Sequence, residues 1–111
     1  MNRKIPRSAC SIKCDLVLKN GDVYPCYIVD ISAIGCAISP LTPSDIEKFP
    51  VGEDAEIVVD LQSTIEIDST FKATVSIRWN EGTMIGAEVI EIDTQNFKKW
   101  WVLVYKSYFP A

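Results

Sequence analysis

Two short motifs in the first third of the chain carry polar side chains that could bind a ligand. In "DISAIG", residues 30–35, the polar or small residues Asp30, Ser32 and Gly35 interrupt an apolar run. If the chain is still extended there, Asp30 and Ser32 share one face and Ile31 points to the other. Asp and Ser before a glycine are also common turn formers, in which Gly35 takes a positive φ angle. Taken alone, the motif fits either a turn or a pair of ligand acceptors.

The second motif is "RKIPR", residues 3–7, in which Arg3 and Arg7 are separated by three residues. The proline between them disfavours a helix, because it lacks an amide hydrogen and restricts the residue before it. In an extended tail the two guanidinium groups lie on the same side, about 13 Å apart, and a curled tail brings them closer. Arginine forks onto phosphate or the O6 and N7 edge of guanine, and also stacks on purines. Guanine in turn has donors that need acceptors such as Asp30 and Ser32.

Length and composition indicate one globular domain. The chain has 111 residues, of which 48% are hydrophobic, enough to bury a core without disulfides or metals. No apolar run is long enough to span a bilayer, so we expect no membrane insertion. The amino terminus lacks the apolar segment and cleavage site of a signal peptide, which favours a cytoplasmic location and reduced cysteines.

The charge distribution restricts the class of partner. The net charge is −4, but residues 1–14 hold four basic residues and no acid, while the rest of the chain has seven basic and fifteen acidic residues. Such an acidic body argues against a protein that coats long DNA or RNA, which needs a broad basic surface. The basic end is either a site for a small anion or a solvated terminus.

The four cysteines do not predict a metal site or a catalytic centre. Cys10, Cys14, Cys26 and Cys36 lack the paired spacing of a zinc site, and the chain has no histidine. They follow the alternation of strand faces and are interpreted as small buried hydrophobes. A redox role would require an exposed cysteine of lowered pKa. With no nucleophile beside a base, we expect neither an enzyme nor a bound cofactor.

Alternating and β-branched residues predict six strands, and the last segment predicts a helix. The strands are expected at 10–18, 23–32, 35–39, 54–62, 69–79 and 83–92. Hairpin turns are expected at "NGD", 20–22, and at "NEG", 80–82. Residues 40–52 hold three prolines and are interpreted as a loop with at most one helical turn, capped by Thr42.

The predicted helix spans about 94–108 and carries Phe97, Trp101, Val104 and Tyr108 at helical spacing. This stripe is expected to face the core, with a partner surface as the alternative. The fold class is therefore mainly β: a six-stranded antiparallel β-barrel at 10–111 with a C-terminal α-helix, preceded by a flexible ligand-binding tail at 1–9.

The combination of motifs resembles the PilZ family of bacterial receptors for cyclic di-GMP. R-x-x-x-R precedes the barrel, and D-x-S-x-x-G stands at the end of its second strand. The strand "GCAIS", 35–39, and "IGAEV", 85–89, are also similar to that family. The resemblance covers nearly the whole chain.

The resemblance implies a role for each motif residue. Arg3 and Arg7 are expected to grip phosphate and guanine, while Asp30, Ser32 and Gly35 supply acceptors and the turn on the barrel surface. The resemblance gives less weight to three further residues: Lys4 as an extra phosphate contact, Trp79 as a ligand contact or a packed side chain, and Asn2 as an influence on ligand stoichiometry.

The implied function is a non-catalytic receptor that binds cyclic di-GMP in second-messenger signalling and acts on an unidentified downstream protein. The alternative is a PilZ-fold adaptor with little or no nucleotide affinity. A barrel for single-stranded nucleic acid is disfavoured, because it would need exposed aromatic residues alternating with basic ones along a groove.

Overall fold

The computed structural model of the chain describes residues 8–60 and 70–108. These residues form six β-strands and one α-helix: β1 Ser8–Leu18, β2 Val23–Ile31, β3 Gly35–Pro40, β4 Asp54–Asp60, β5 Thr70–Glu81, β6 Met84–Glu91 and α1 Thr94–Tyr108. The strands pair antiparallel in the closed order β1-β2-β3-β6-β5-β4, and β4 pairs with β1 to complete the barrel. The predicted antiparallel barrel with a C-terminal helix is confirmed. None of the described helices is long and apolar enough to cross a membrane.

The two predicted hairpins are present, one of them shifted along the chain. Gly21 has φ 94° and donates its amide to the carbonyl of Leu18 at 2.9 Å, which closes the turn between β1 and β2. At the second hairpin Glu81 still pairs with Met84, so the turn consists of Gly82 and Thr83 instead of residues 80–82. Gly82 has φ 63°, a conformation that glycine adopts without steric cost.

The proline-rich segment forms a 3-10 helix at Pro43–Lys48, which is longer than the single turn predicted. Thr42 occupies the N-cap position but makes no side-chain capping bond. Phe49 follows, fully buried, with its ring edge-on to Tyr24 at 5.4 Å between centroids. Asn80 donates its side-chain amide to the carbonyl of Phe49 at 2.8 Å, which attaches the segment to β5.

Inward-facing side chains of all six strands fill the barrel. The fully buried large residues include Leu16, Ile28, Ile38, Ile57 and Ile77. This is the alternation that predicted the strands, because one face of each strand lies against the core.

The cysteines belong to this core, as predicted. Cys14, Cys26 and Cys36 are buried and Cys10 is half-buried, and all four are free thiols. Burial raises the pKa of Cys10 and Cys14, and it raises the pKa of Cys26 to about 12. Within 8–60 and 70–108 no cluster of possible ligands could hold a metal ion.

The buried face of α1 differs from the predicted one. Trp100, Leu103 and Val104 are buried, whereas Phe97 and Trp101 are 44% and 46% exposed. Of the four stripe residues only Val104 faces the core, so the predicted orientation is wrong. The segment "WWVLVY" is almost continuously apolar, and two neighbouring helix faces therefore fit the same periodicity. The packing of Trp100 selects one of them, because its ring stacks on that of Phe71 at 5.3 Å.

Candidate functional site

A β-bulge sets the orientation of Asp30 at the end of β2. Ile28 and Asp30 pair with the adjacent β3 residues Ile38 and Ala37, so Val29 is an extra residue on β2. Bulges of this kind turn a strand and redirect the following side chains. Asp30 is half-buried, and its Oδ1 accepts a hydrogen bond from the backbone amide of Ala37 at 3.2 Å. The carboxylate thus joins β2 to β3.

Ser32 is part of the turn that follows β2. Its backbone amide donates to the carbonyl of Gly35 at 2.9 Å, and its hydroxyl donates to the same oxygen at 3.3 Å. The side chain is buried, with 3% of its surface exposed. The description of Ser32 as an exposed acceptor is therefore wrong for this structure, in which the hydroxyl closes the turn.

Gly35 is required by close packing rather than by its φ angle. The expected positive φ is absent, since the described glycines with positive φ are Gly21, Gly52 and Gly82. A Cβ atom at position 35 would instead overlap the backbone carbonyl oxygen of Ala87 on β6. The glycine lets the start of β3 lie directly against β6.

A second bulge places Trp79 beside this turn. Ile77 and Trp79 on β5 pair with the adjacent β6 residues Ala87 and Gly86, which makes Arg78 the extra residue. Ile77 is in the core, and the bulge brings Trp79 to the outer face, where its indole lies on Gly86. A Cβ at position 86 would overlap that ring. The ring of Trp79 thus covers a glycine and also lines a pocket.

The pocket beside Trp79 has a volume of about 290 Å³. Its walls come from the turn after β2, from the bulge of β5 and from β6, and the lining residues are Ser32, Ile34, Gly35, Arg78, Trp79, Gly86, Ala87 and Glu88. This volume lies at the lower end of the range for small-molecule sites. Ser32, Gly35 and Trp79 of the predicted site residues are brought together here.

Backbone carbonyls of the turn after β2 accept hydrogen bonds from β6 and from α1. The amide of Val89 on β6 donates to the carbonyl of Ile34 at 2.8 Å. The indole Nε1–H of Trp100 donates to the carbonyls of Ser32 and Ala33 at 3.0 and 3.2 Å. Both attachments give hydrogen-bond donors to backbone oxygens of the turn.

The predicted residues Arg3, Lys4 and Arg7 lie outside the described residues. The described part of β1 begins beside the end of β2, because Ser8 pairs with Ile31 and Ala9 pairs with Asp30. Arg7 directly precedes Ser8 in the sequence.

Sequence reasoning missed Glu88, which forms an ion pair with Arg78. Arg78 Nε and Nη2 donate to Glu88 Oε1 at 2.7 and 2.6 Å across the outer face of the barrel. Strand alternation could have located Glu88, because Gly86 and Glu88 stand two residues apart and so share the outer face of β6. The bulge at Arg78 had no comparable signal.

Solved structures with this fold include several PilZ domains. The PilZ domain with c-di-GMP of YcgR from Escherichia coli superposes with a TM-score of 0.73 at 11% identity, over 97% of this chain and 92% of that one. The PilZ domain of CeSA from a cellulose-synthesizing bacterium gives 0.69 at 15% identity, over 90% and 95%. The complex of MrkH from K. pneumonia with c-di-GMP gives 0.73 at 16% identity, over 99% of this chain and 54% of that one.

At these identities the structural likeness establishes the fold. A search of curated protein sequences gave no match. The PilZ domain model, in contrast, matches residues 1–105, nearly the whole chain. The chain therefore belongs to the PilZ domain family.

Proposed function

We propose that this protein is a receptor for cyclic di-GMP that binds the dinucleotide without chemical change and transmits its presence to a downstream protein. The observation that carries the proposal is the register of β1 and β2. Ser8 and Ala9 pair with Ile31 and Asp30, so β1, which directly follows R-x-x-x-R in the sequence, begins beside the first residue of D-x-S-x-x-G. In this proposal the two motifs bind one ligand together.

The chemistry of the ligand matches the residue types of the two motifs. Cyclic di-GMP has two phosphates and two guanines, which need cationic forks, donors and acceptors in one place. In this proposal Arg3 and Arg7 supply the forks, and Lys4 adds a point charge. Asp30 supplies the carboxylate acceptor, and a neighbouring pocket offers the indole face of Trp79 for stacking.

Ser32 and Gly35 act in this proposal by shaping the backbone. The buried hydroxyl of Ser32 closes the turn, and the missing side chain of Gly35 lets β3 approach β6. Together they hold the pocket wall beside Asp30. This assigns the two motif residues a structural contribution to the same binding site.

Calorimetric titration with cyclic di-GMP tests the proposal, with cyclic di-AMP as the control ligand. We expect selective binding by the wild type and a loss of about one to two orders of magnitude in Arg7→Lys, because lysine cannot fork or stack. Arg7→Ala should nearly abolish binding. Lys13→Ala is the matched control, since it removes one exposed positive charge on β1.

Absence of binding by the wild type would overturn the proposed receptor function and favour the alternative, an adaptor with little or no nucleotide affinity. Full affinity in Arg7→Lys would show that charge alone is recognised, and it would remove the forked contact from the proposed mechanism.

A further inference from the structure

An exposed ion pair forms one wall of the pocket beside Trp79. Arg78 is the bulged residue of β5, and Glu88 stands on β6 opposite Gly35. The guanidinium donates to Glu88 twice, from Nε at 2.7 Å and from Nη2 at 2.6 Å. Both bonds end on Oε1, so this fork does not use Oε2.

Stability does not account for this arrangement. The side chains are 55% and 41% exposed, and ion pairs exposed to this degree contribute little to folding. The bulge at Arg78 also interrupts the pairing of β5 with β6, which regular strands would not require. The result is a carboxylate in the wall of a concave site whose second oxygen takes no part in the bonds from Arg78.

We propose that Glu88 selects guanine in this pocket and that Arg78 is a positioning residue that holds the carboxylate. This inference rests on the proposed binding of cyclic di-GMP. A carboxylate offers only acceptors, which match the adjacent N1–H and N2 amine donors of guanine. The corresponding edge of adenine presents N1 as an acceptor, which a carboxylate repels.

The rest of the pocket suits a planar base. The indole of Trp79 packs against Gly86, and Ile34 supplies an exposed apolar side chain nearby. A base stacked on the indole would present its polar edge to the pocket rim. Asp30 already accepts a bond from the amide of Ala37, so Glu88 adds a second carboxylate for a ligand that has two guanines.

The test compares cyclic di-GMP with cyclic di-IMP, in which hypoxanthine keeps N1–H but lacks the N2 amine. In the wild type we expect cyclic di-GMP to bind about tenfold more tightly, because one charge-assisted hydrogen bond is lost in the analogue. Glu88→Gln should reduce this ratio to within about twofold, since an amide provides a single acceptor. Glu91→Gln, which removes an exposed acid from the same strand outside the pocket, should leave the ratio unchanged.

The positioning role of Arg78 is tested by the same ratio of affinities for cyclic di-GMP and cyclic di-IMP. Arg78→Gln should lower it, and Arg78→Lys should restore part of it, because lysine keeps a charge near Glu88 without the fork. An unchanged ratio in Arg78→Gln would remove the positioning role. Because both side chains are exposed, thermal unfolding should confirm that every variant remains folded.

The outcomes separate this inference from the proposed function. Absence of cyclic di-GMP binding by the wild type overturns both. Binding by the wild type with an unchanged ratio in Glu88→Gln overturns the selection of guanine by Glu88 and leaves the receptor intact. An equal fall of the ratio in Glu91→Gln would show a general charge effect and would also overturn the inference.

Discussion

The indole nitrogen of Trp100 in α1 donates a hydrogen bond of 3.0 Å to the backbone carbonyl of Ser32, 68 residues earlier in the chain. Ser32 stands in the turn that forms one wall of the pocket, and Trp100 is the most buried aromatic of the helix. A shift of the turn would therefore either break this bond or move the helix. The outer side of the same helix exposes the rings of Phe97, Trp101 and Tyr105. The contact thus connects the candidate site to a surface elsewhere on the molecule.

We expect Trp100→Phe to lower the free energy of unfolding by about 1–3 kcal/mol. The ring stack on Phe71 survives in part, but the buried carbonyls of Ser32 and Ala33 lose their donor. Trp101→Phe is the matched control, and its effect should stay within about 0.5 kcal/mol because the residue is half-exposed. Urea unfolding of both variants measures the difference. Similar losses in the two would contradict the importance of the bond.

Gly35→Ala and Gly86→Ala should differ although both introduce one methyl group. At position 35 the methyl meets the backbone of Ala87, which cannot move alone, and we expect a loss of about 1–3 kcal/mol. At position 86 it meets the side chain of Trp79, which can turn away. The smaller loss there should disappear when Trp79→Ala is the background, whereas the loss at position 35 should persist. Urea unfolding of the single and double variants decides this.

The barrel was predictable because its strands obey a simple alternation. One buried face per strand and glycine at the hairpins were sufficient to place six strands and their turns to within a few residues. The bulges at Val29 and Arg78 were not predictable, because they depend on how two strands pair and not on either strand alone. Trp79 consequently faces outward although a regular strand would direct it to the same side as Ile77.

Two motif residues were identified with an incorrect local structure. The pattern D-x-S-x-x-G located the turn, but it did not reveal that Ser32 is buried or that Gly35 avoids a clash with β6. Both facts arise from neighbours distant in sequence, Ala87 and Trp100. The face of α1 was ambiguous for the same reason, since its apolar run fits two orientations.

Asp93 should make the stability of the domain depend on pH in the acid range. Its carboxylate accepts the backbone amide of Asn96 at 2.8 Å and the side-chain amide of Asn96 at 2.9 Å, and these bonds lower its pKa. A lowered pKa in the folded state means that the carboxylate stabilises the fold above its ordinary pKa of about 4. This contribution is lost as the pH falls through the folded-state value.

Asp93→Ala should therefore lower the melting temperature at pH 7 and lower it less at pH 3. Asp22→Ala is the control, because Asp22 is an exposed residue in a turn between two strands and lies far from any helix start in the sequence. Thermal unfolding followed by circular dichroism measures both variants. If Asp93→Ala lowers the melting temperature by the same amount at both pH values, the hydrogen bonds of the Asp93 carboxylate do not account for the loss.

Asp30 and Ser32 should respond differently to substitution, because the side chain of Asp30 is half-buried whereas that of Ser32 is buried. Ser32→Ala removes the hydroxyl that donates to Gly35, so we expect a loss of about 1 kcal/mol in stability and weaker binding through a loosened turn. Asp30→Asn keeps an acceptor for the amide of Ala37 and should spare the fold. It should bind cyclic di-GMP more weakly than the wild type and more tightly than Asp30→Ala, which has no acceptor. Urea unfolding and calorimetry on the same three variants separate stability from affinity.

A Ser32→Ala variant as stable as the wild type would return its hydroxyl to a direct role with the ligand. Unchanged affinity in Asp30→Ala would remove the carboxylate from the binding site.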